Sequence, residues 1–113
     1  MNIAVVGSRN IKSESQIFAE LDKYEISCIV SGGAKGVDTI AEKYAQANNI
    51  PTKIFKPEYD KYHFKQAPLM RNLQIVEASD TVIAFWDSKS KGTLFTINEA
   101  KKRNIPVVVV ISA

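Results

Sequence analysis

Five short apolar runs punctuate the chain, Ile3 to Val6, Ile26 to Val30, Thr52 to Phe55, Thr81 to Phe85 and Val107 to Ile111, and segments of helical period separate them. Runs of four or five apolar residues without alternation read as strands covered on both faces, because a half-solvated strand would carry polar side chains at every second position. Strands that alternate with helices call for an α/β architecture built on a parallel sheet. Right-handed crossovers, with the first strand central beside the point where the winding reverses, predict the order 3-2-1-4-5 in a three-layer, Rossmann-like fold.

The 113 residues, 1–113, read as one domain that buries about two thirds of its unfolded surface. A hydrophobic fraction of 45% and a charged fraction of 24% belong to ordinary globular chains and exclude the disordered class. No apolar run approaches the ~20 residues of a membrane helix, and Met1-Asn2-Ile3-Ala4-Val5-Val6-Gly7 reads as a strand and not as a leader. The expectation is a cytoplasmic protein without membrane contact. The formal charge of +3 is mild, and its densest cluster, Lys101-Lys102-Arg103, falls at a helix end where cations complement the dipole. Cys28, the single cysteine, reads as buried in the second strand.

The first helix is expected to open at Ser13, capped by its hydroxyl with Gln16 reaching back, and to bury Ile17, Phe18 and Leu21. Val37, Ile40, Ala41, Tyr44 and Ala45 form the stripe of the second. Pro68 suits the first turn of the third, whose spacing predicts a core stripe of Leu69, Leu73 and Val76. That register leaves Ile75 on the surface near Ala78, and an exposed isoleucine there predicts a homodimer. The fourth helix begins at about Thr93. An Asn-Ile-Pro corner closes the second and fourth helices alike, at Asn49-Ile50-Pro51 and Asn104-Ile105-Pro106, where asparagine tolerates a left-handed cap and proline ends the helix.

Three glycine-bearing loops follow strands one, two and four: Gly7-Ser8-Arg9, Ser31-Gly32-Gly33-Ala34-Lys35-Gly36-Val37-Asp38 and Lys89-Ser90-Lys91-Gly92-Thr93. In a parallel sheet such loops meet at one crevice, where free amides at helix starts favour an anion. Neither the dinucleotide fingerprint nor the P-loop order is present. Arg9 can clasp phosphate or carboxylate, Arg71 and Asn72 can bind phosphate and a sugar or base, and Trp86 can stack on a ring, or pack in the core. Asp38, Asp87 and Glu99 are carboxylates within reach of the crevice. His63 stands alone among Tyr59 and Tyr62 in the long segment from Lys56 to Gln66, so neither a metal site nor a cofactor is expected.

Taken in order, Val5-Val6-Gly7-Ser8-Arg9, Ser31 to Asp38, Met70-Arg71-Asn72, Ala84-Phe85-Trp86-Asp87 and Ser90-Lys91-Gly92-Thr93 resemble the SLOG superfamily, and in particular its small YspA-like branch. Tyr59, Lys65, Ala67, Arg71 and Asn72 are similar to that branch as well. The superfamily joins Smf/DprA single-strand DNA binders, Lonely-guy phosphoribohydrolases and sensor domains for nucleotide-derived signals, so the resemblance implies a Rossmann-like sheet and a nucleotide-type ligand. The hydrolases carry Pro-Gly-Gly-x-Gly-Thr-x-x-Glu, whereas here Gly92-Thr93-Leu94-Phe95-Thr96 has Thr96 at the glutamate position, with Glu99 about one turn later. The leading expectation is therefore a binder that does not cleave. One alternative is a phosphoribohydrolase-type enzyme using Asp38 or Glu99. The other is a single-stranded DNA binder using Tyr59, Tyr62, Phe64, Lys61 and Lys65.

Overall fold

The computed structural model describes residues 1–11 and 13–112. Nine elements follow in the order β1 (Asn2–Gly7), α1 (Glu14–Leu21), β2 (Cys28–Ser31), α2 (Val37–Ala47), β3 (Thr52–Ile54), α3 (Ala67–Glu77), β4 (Thr81–Trp86), α4 (Lys91–Lys102) and β5 (Val107–Ile111). All neighbouring strands pair in parallel in the order β3-β2-β1-β4-β5, as the apolar runs predict. The register sets Ala4 beside Val30 on one flank and beside Val82 on the other. No helix among the described residues is long and apolar enough to cross a membrane.

Because β1 and β4 are central, alternate residues bury on opposite faces. Ile3, Val5, Ile83 and Phe85 meet Ile17 and Leu21 of α1 and Ala41 and Tyr44 of α2. Ala4, Val6, Val82 and Ala84 meet Ile75 and Val76 of α3 and Ile97 and Ala100 of α4. The corners repeat in three dimensions as they do in sequence. Asn49 and Asn104 take left-handed φ values of 56° and 59°. The Ile50 and Ile105 N–H groups donate back to the Ala45 and Ala100 carbonyls at 2.8 and 2.9 Å, the bond that closes a helix end in the Schellman manner.

Several local expectations need correcting. The Ser13 hydroxyl makes no capping bond, and the Gln16 amide oxygen that would complete the box instead accepts from the Ser112 hydroxyl at 2.9 Å. β2 starts at Cys28 and not at Ile26, so Cys28 is half-buried at a strand end. β3 stops at Ile54, although the Phe55 N–H still donates to the Ser31 carbonyl at 2.9 Å. α4 begins two residues early, at Lys91, because Ser90 caps it by accepting from the Thr93 N–H at 3.3 Å.

The largest correction concerns α3. Ile75 is 1% exposed and packs with Val76 against the small-residue face of the sheet, while Leu69 is 37% exposed and Leu73 half-buried. Its inward stripe is Ala67, Ile75 and Val76, rotated from the one predicted, so the surface isoleucine that motivated a homodimer does not exist. Ile75→Ala is expected to lower unfolding free energy by about 2–5 kcal/mol, as for other core truncations. Leu69→Ala should cost less than about 1 kcal/mol. Urea unfolding of the two variants checks the assignment.

Candidate functional site

The winding reverses between β1 and β4, and a crevice opens there at the carboxyl ends of the strands. The Ser8 N–H donates to the Phe85 carbonyl at 3.0 Å, and the Ser8 hydroxyl accepts from the Asp87 N–H at 3.2 Å, which fixes the two loops leaving the central strands. Asp87 then accepts from the Lys89 and Ser90 N–H groups at 2.8 Å each. These bonds hold its carboxyl below the usual range and let Ser88 sit at a left-handed φ of 66°. Beyond this turn the Thr93 N–H is taken by the Ser90 hydroxyl, while the Lys91 and Gly92 N–H groups at the start of α4 lack helical partners, Gly92 at the rim of the crevice.

The crevice has two lobes. The larger, about 520 Å³, lies between the loop Gly7 to Asn10, the turn Asp87 to Ser90, the start of α4 and the amino-terminal half of α3. The smaller, about 380 Å³, lies between Gly32-Gly33-Ala34 and the segment from Lys56 to Tyr59. Arg9, Ala34, Pro68 and Arg71 border both.

Arg71 reaches this boundary from the second turn of α3. Its Nη1 donates to the Gly32 carbonyl at 2.9 Å and its Nε donates to Asn72 Oδ1 at 2.9 Å. A Cβ on residue 32 would stand 2.6 Å from that Nη1, so the glycine is what admits the guanidinium. Burial lowers the Arg71 pKa, opposed by the charge of Asp38. Asp38, 8% exposed, accepts from the Ala34 N–H at 3.1 Å. Burial raises its pKa above the usual carboxylate value, against the pull of the Ala34 N–H and of Arg71. Gly36 holds φ at 83°, where a Cβ would stand 2.7 Å from the Arg9 carbonyl oxygen, so its conformation braces the chain behind Arg9.

Of the residues singled out from sequence, Gly7, Ser8, Arg9, Asp38, Arg71, Asn72, Gly92 and Thr93 line the larger lobe. Gly32 and Gly33 line the smaller. Ser31, Gly36, Trp86, Lys91 and Glu99 line neither. Ser31 is fully buried under the loop, and its hydroxyl has no partner among the described residues. The Trp86 indole N–H donates to the Ser90 carbonyl at 3.0 Å, and its ring packs on the α3–α4 side of the core. Glu99 lies far along α4, 3.7 Å from Arg103 Nε. Thr96, at the hydrolases' glutamate position, spends its hydroxyl on the Gly92 carbonyl at 3.1 Å. Sequence reasoning missed Asn10 and Leu69 at the larger lobe and Lys56 at the smaller. Only the aperiodic stretch around Lys56 carried a signal.

Fold and crevice together define an open, doubly wound α/β protein of the Rossmann-like class. Residues 1–62 match the family described as YspA, cpYpsA-related SLOG. The Gene 61 protein of Mycobacterium phage D29 is 31% identical over 117 residues, covering 94% of this chain and 93% of the phage protein. The chain belongs to the YspA, cpYpsA-related SLOG family. Its fold is shared with DNA processing protein A from Streptococcus pneumoniae, at a TM-score of 0.81 and 23% identity over 99% of this chain. The structure of DNA processing protein A from Helicobacter pylori, described for its single-stranded DNA binding mode, matches at 0.79 and 24% over the whole chain. The chain spans 50% and 66% of those two proteins.

Two outcomes test the site's construction. Gly92 has open space where a Cβ would stand, so Gly92→Ala is expected to raise stability by about 0.5–1 kcal/mol, while Gly36→Ala lowers it by more than about 1 kcal/mol in urea unfolding. Since the raised Asp38 pKa means the folded chain holds that proton more tightly than the unfolded one, its contribution is full below 3.8 and is lost as pH rises through the folded value. Asp38→Asn should therefore flatten this part of the stability–pH curve and exceed the parent in stability at neutral pH.

Proposed function

We propose that the protein binds a nucleotide or nucleotide-derived ligand in the crevice. The observation that carries this reading is the pairing of two guanidinium groups, Arg9 and Arg71, at the boundary of a cavity of about 520 Å³ that also receives the start of α4. That volume falls within the ~300–1,000 Å³ of small-molecule sites. Guanidinium groups bind phosphate through paired hydrogen bonds, and a helix start supplies N–H groups and a favourable dipole. Gly92 supports the same reading, since a bare position in the first turn of α4 forgoes stability and leaves the backbone open to a ligand. Phosphate sits between Gly92-Thr93, the Gly32 loop and the two arginines, with Asn72 and Asp87 offering partners to sugar hydroxyls or a base.

Binding without cleavage is the reaction state favoured here, because Thr96 has no carboxylate to stabilise a ribosyl cation or activate water and its hydroxyl is already engaged. Asp38 is the carboxyl that would serve the enzymatic alternative, given its place in the lobe and its raised pKa. A single-stranded nucleic acid is the second reading, supported by Tyr59 and Phe64, which are 61% and 64% exposed, and by Lys65 Nζ 5.9 Å from the Phe64 ring centre. The Helicobacter pylori neighbour's single-stranded DNA binding adds to it.

Calorimetry against nucleoside mono- and diphosphates is expected to show binding that Arg9→Ala weakens by about 1.5–3 kcal/mol, the worth of a charge-assisted hydrogen bond. Thermal melting of the same variant separates that loss from unfolding. Free base released from a nucleoside monophosphate, at a rate that collapses in Asp38→Asn, would replace the binder by the enzyme. Oligonucleotide binding that falls steeply with salt, without nucleotide binding, would favour the strand.

A further inference from the structure

The two lobes differ in charge. The larger sets the carboxylates of Asp38 and Asp87 against its cations, whereas the lining of the smaller holds Arg9, Lys56 and Arg71 and no carboxylate. The two lobes adjoin: Arg9, Ala34, Pro68 and Arg71 line both, so a ligand that spans them would lie beside two guanidinium groups. Arg71 meets that ligand already oriented, because two of its five N–H donors are held by Gly32 and Asn72. The remaining donors are offered at the border without a further ordering cost. At the mouth of the smaller lobe Tyr59 presents a ring 61% exposed, a surface on which a sugar or base can lie.

From this asymmetry we infer that the smaller lobe is a second subsite of the same ligand, and that the ligand is a nucleoside joined through a diphosphate to a second sugar or nucleoside. The nucleoside occupies the larger lobe, where Asp38, Asn72 and Asp87 can accept from or donate to its polar groups. The diphosphate lies between the start of α4 and the border formed by Arg9 and Arg71, and the second group rests on Tyr59 beside Lys56. A nucleoside monophosphate leaves the smaller lobe empty. A strand carries one charge per linkage, while three clustered cations suit two adjacent phosphates. The inference rests on the nucleotide reading and names its ligand class.

Calorimetry on the full chain would compare the four common nucleoside 5′-monophosphates, the matching symmetric dinucleotides joined by a 5′,5′-diphosphate, and a thymidine oligonucleotide. At least one dinucleotide is expected to bind about 10-fold or more tightly than its own monophosphate, the gain of one additional charge-assisted contact. Combining Lys56→Ala with Tyr59→Ala, which alters the smaller lobe alone, should bring that ratio close to one. Equal affinities in the parent, or a ratio the double variant leaves unchanged, would overturn the second subsite while leaving the nucleotide reading standing. Failure of every mononucleotide and dinucleotide to bind would remove both. Tighter binding by the oligonucleotide than by any dinucleotide would overturn the diphosphate assignment in favour of a strand.

Discussion

Burial of β1 and β4 on both faces is the constraint from which the rest of the molecule follows. Covering such strands on both faces takes crossovers on both sides of the sheet, α1 and α2 over one and α3 and α4 over the other, and because every pair is parallel each loop leaving a strand emerges at the same end. The faces are unequal. Ile3, Val5, Ile83 and Phe85 fill the layer beneath α1 and α2, whereas Ala4, Val6, Val82 and Ala84 offer α3 and α4 a shallower surface. Ile75 and Val76 supply the bulk that the small strand residues withhold, which explains how deeply α3 is seated at its carboxyl-terminal half.

With that half anchored, the amino-terminal half of α3 overhangs the crevice. Leu69 then becomes part of an apolar wall and Arg71 reaches across to the loop after β2. The glycines of that loop serve the protein before they serve any ligand, since Gly32 makes room for the guanidinium and Gly36 fits against the Arg9 backbone. The same geometry makes Asp38 a buried neighbour of a cation, held at a balance between desolvation and attraction.

Strand order and the two Asn-Ile-Pro corners were legible because each rests on local chemistry: uninterrupted apolar runs, and a residue pair with one favoured backbone shape. The register of α3 was not. Two stripes are available on that helix, one through Leu69 and Leu73 and one through Ile75 and Val76, and only the small side chains of β1 and β4 decide between them. Counting leucines favours the wrong one. The crevice was legible at Gly7 and Arg9 beside the end of β1, at Asp38 and Gly92 in the first turns of α2 and α4, and at Arg71 near the start of α3. Glu99 was misplaced by reading distance along the chain where the helix axis carries it away, whereas Trp86, open between stacking and core packing, packs on the core side and supports the loop through the Ser90 carbonyl. Lys56 carries no motif, and only the return of the chain past Gly33 brings it to the smaller lobe.

The two asparagine corners both lie where helices hand over to the edge strands β3 and β5, at the end of the sheet opposite the crevice. Each fixes the length of its helix and the starting register of its strand through backbone bonds of its own. The molecule is thereby divided along its strands into a half that determines topology and a half that shapes the crevice. Apart from Gly32 and Gly36, substitutions among the crevice loops can accumulate without disturbing the joints that align the sheet, so the lining of the crevice can change while the scaffold keeps its shape.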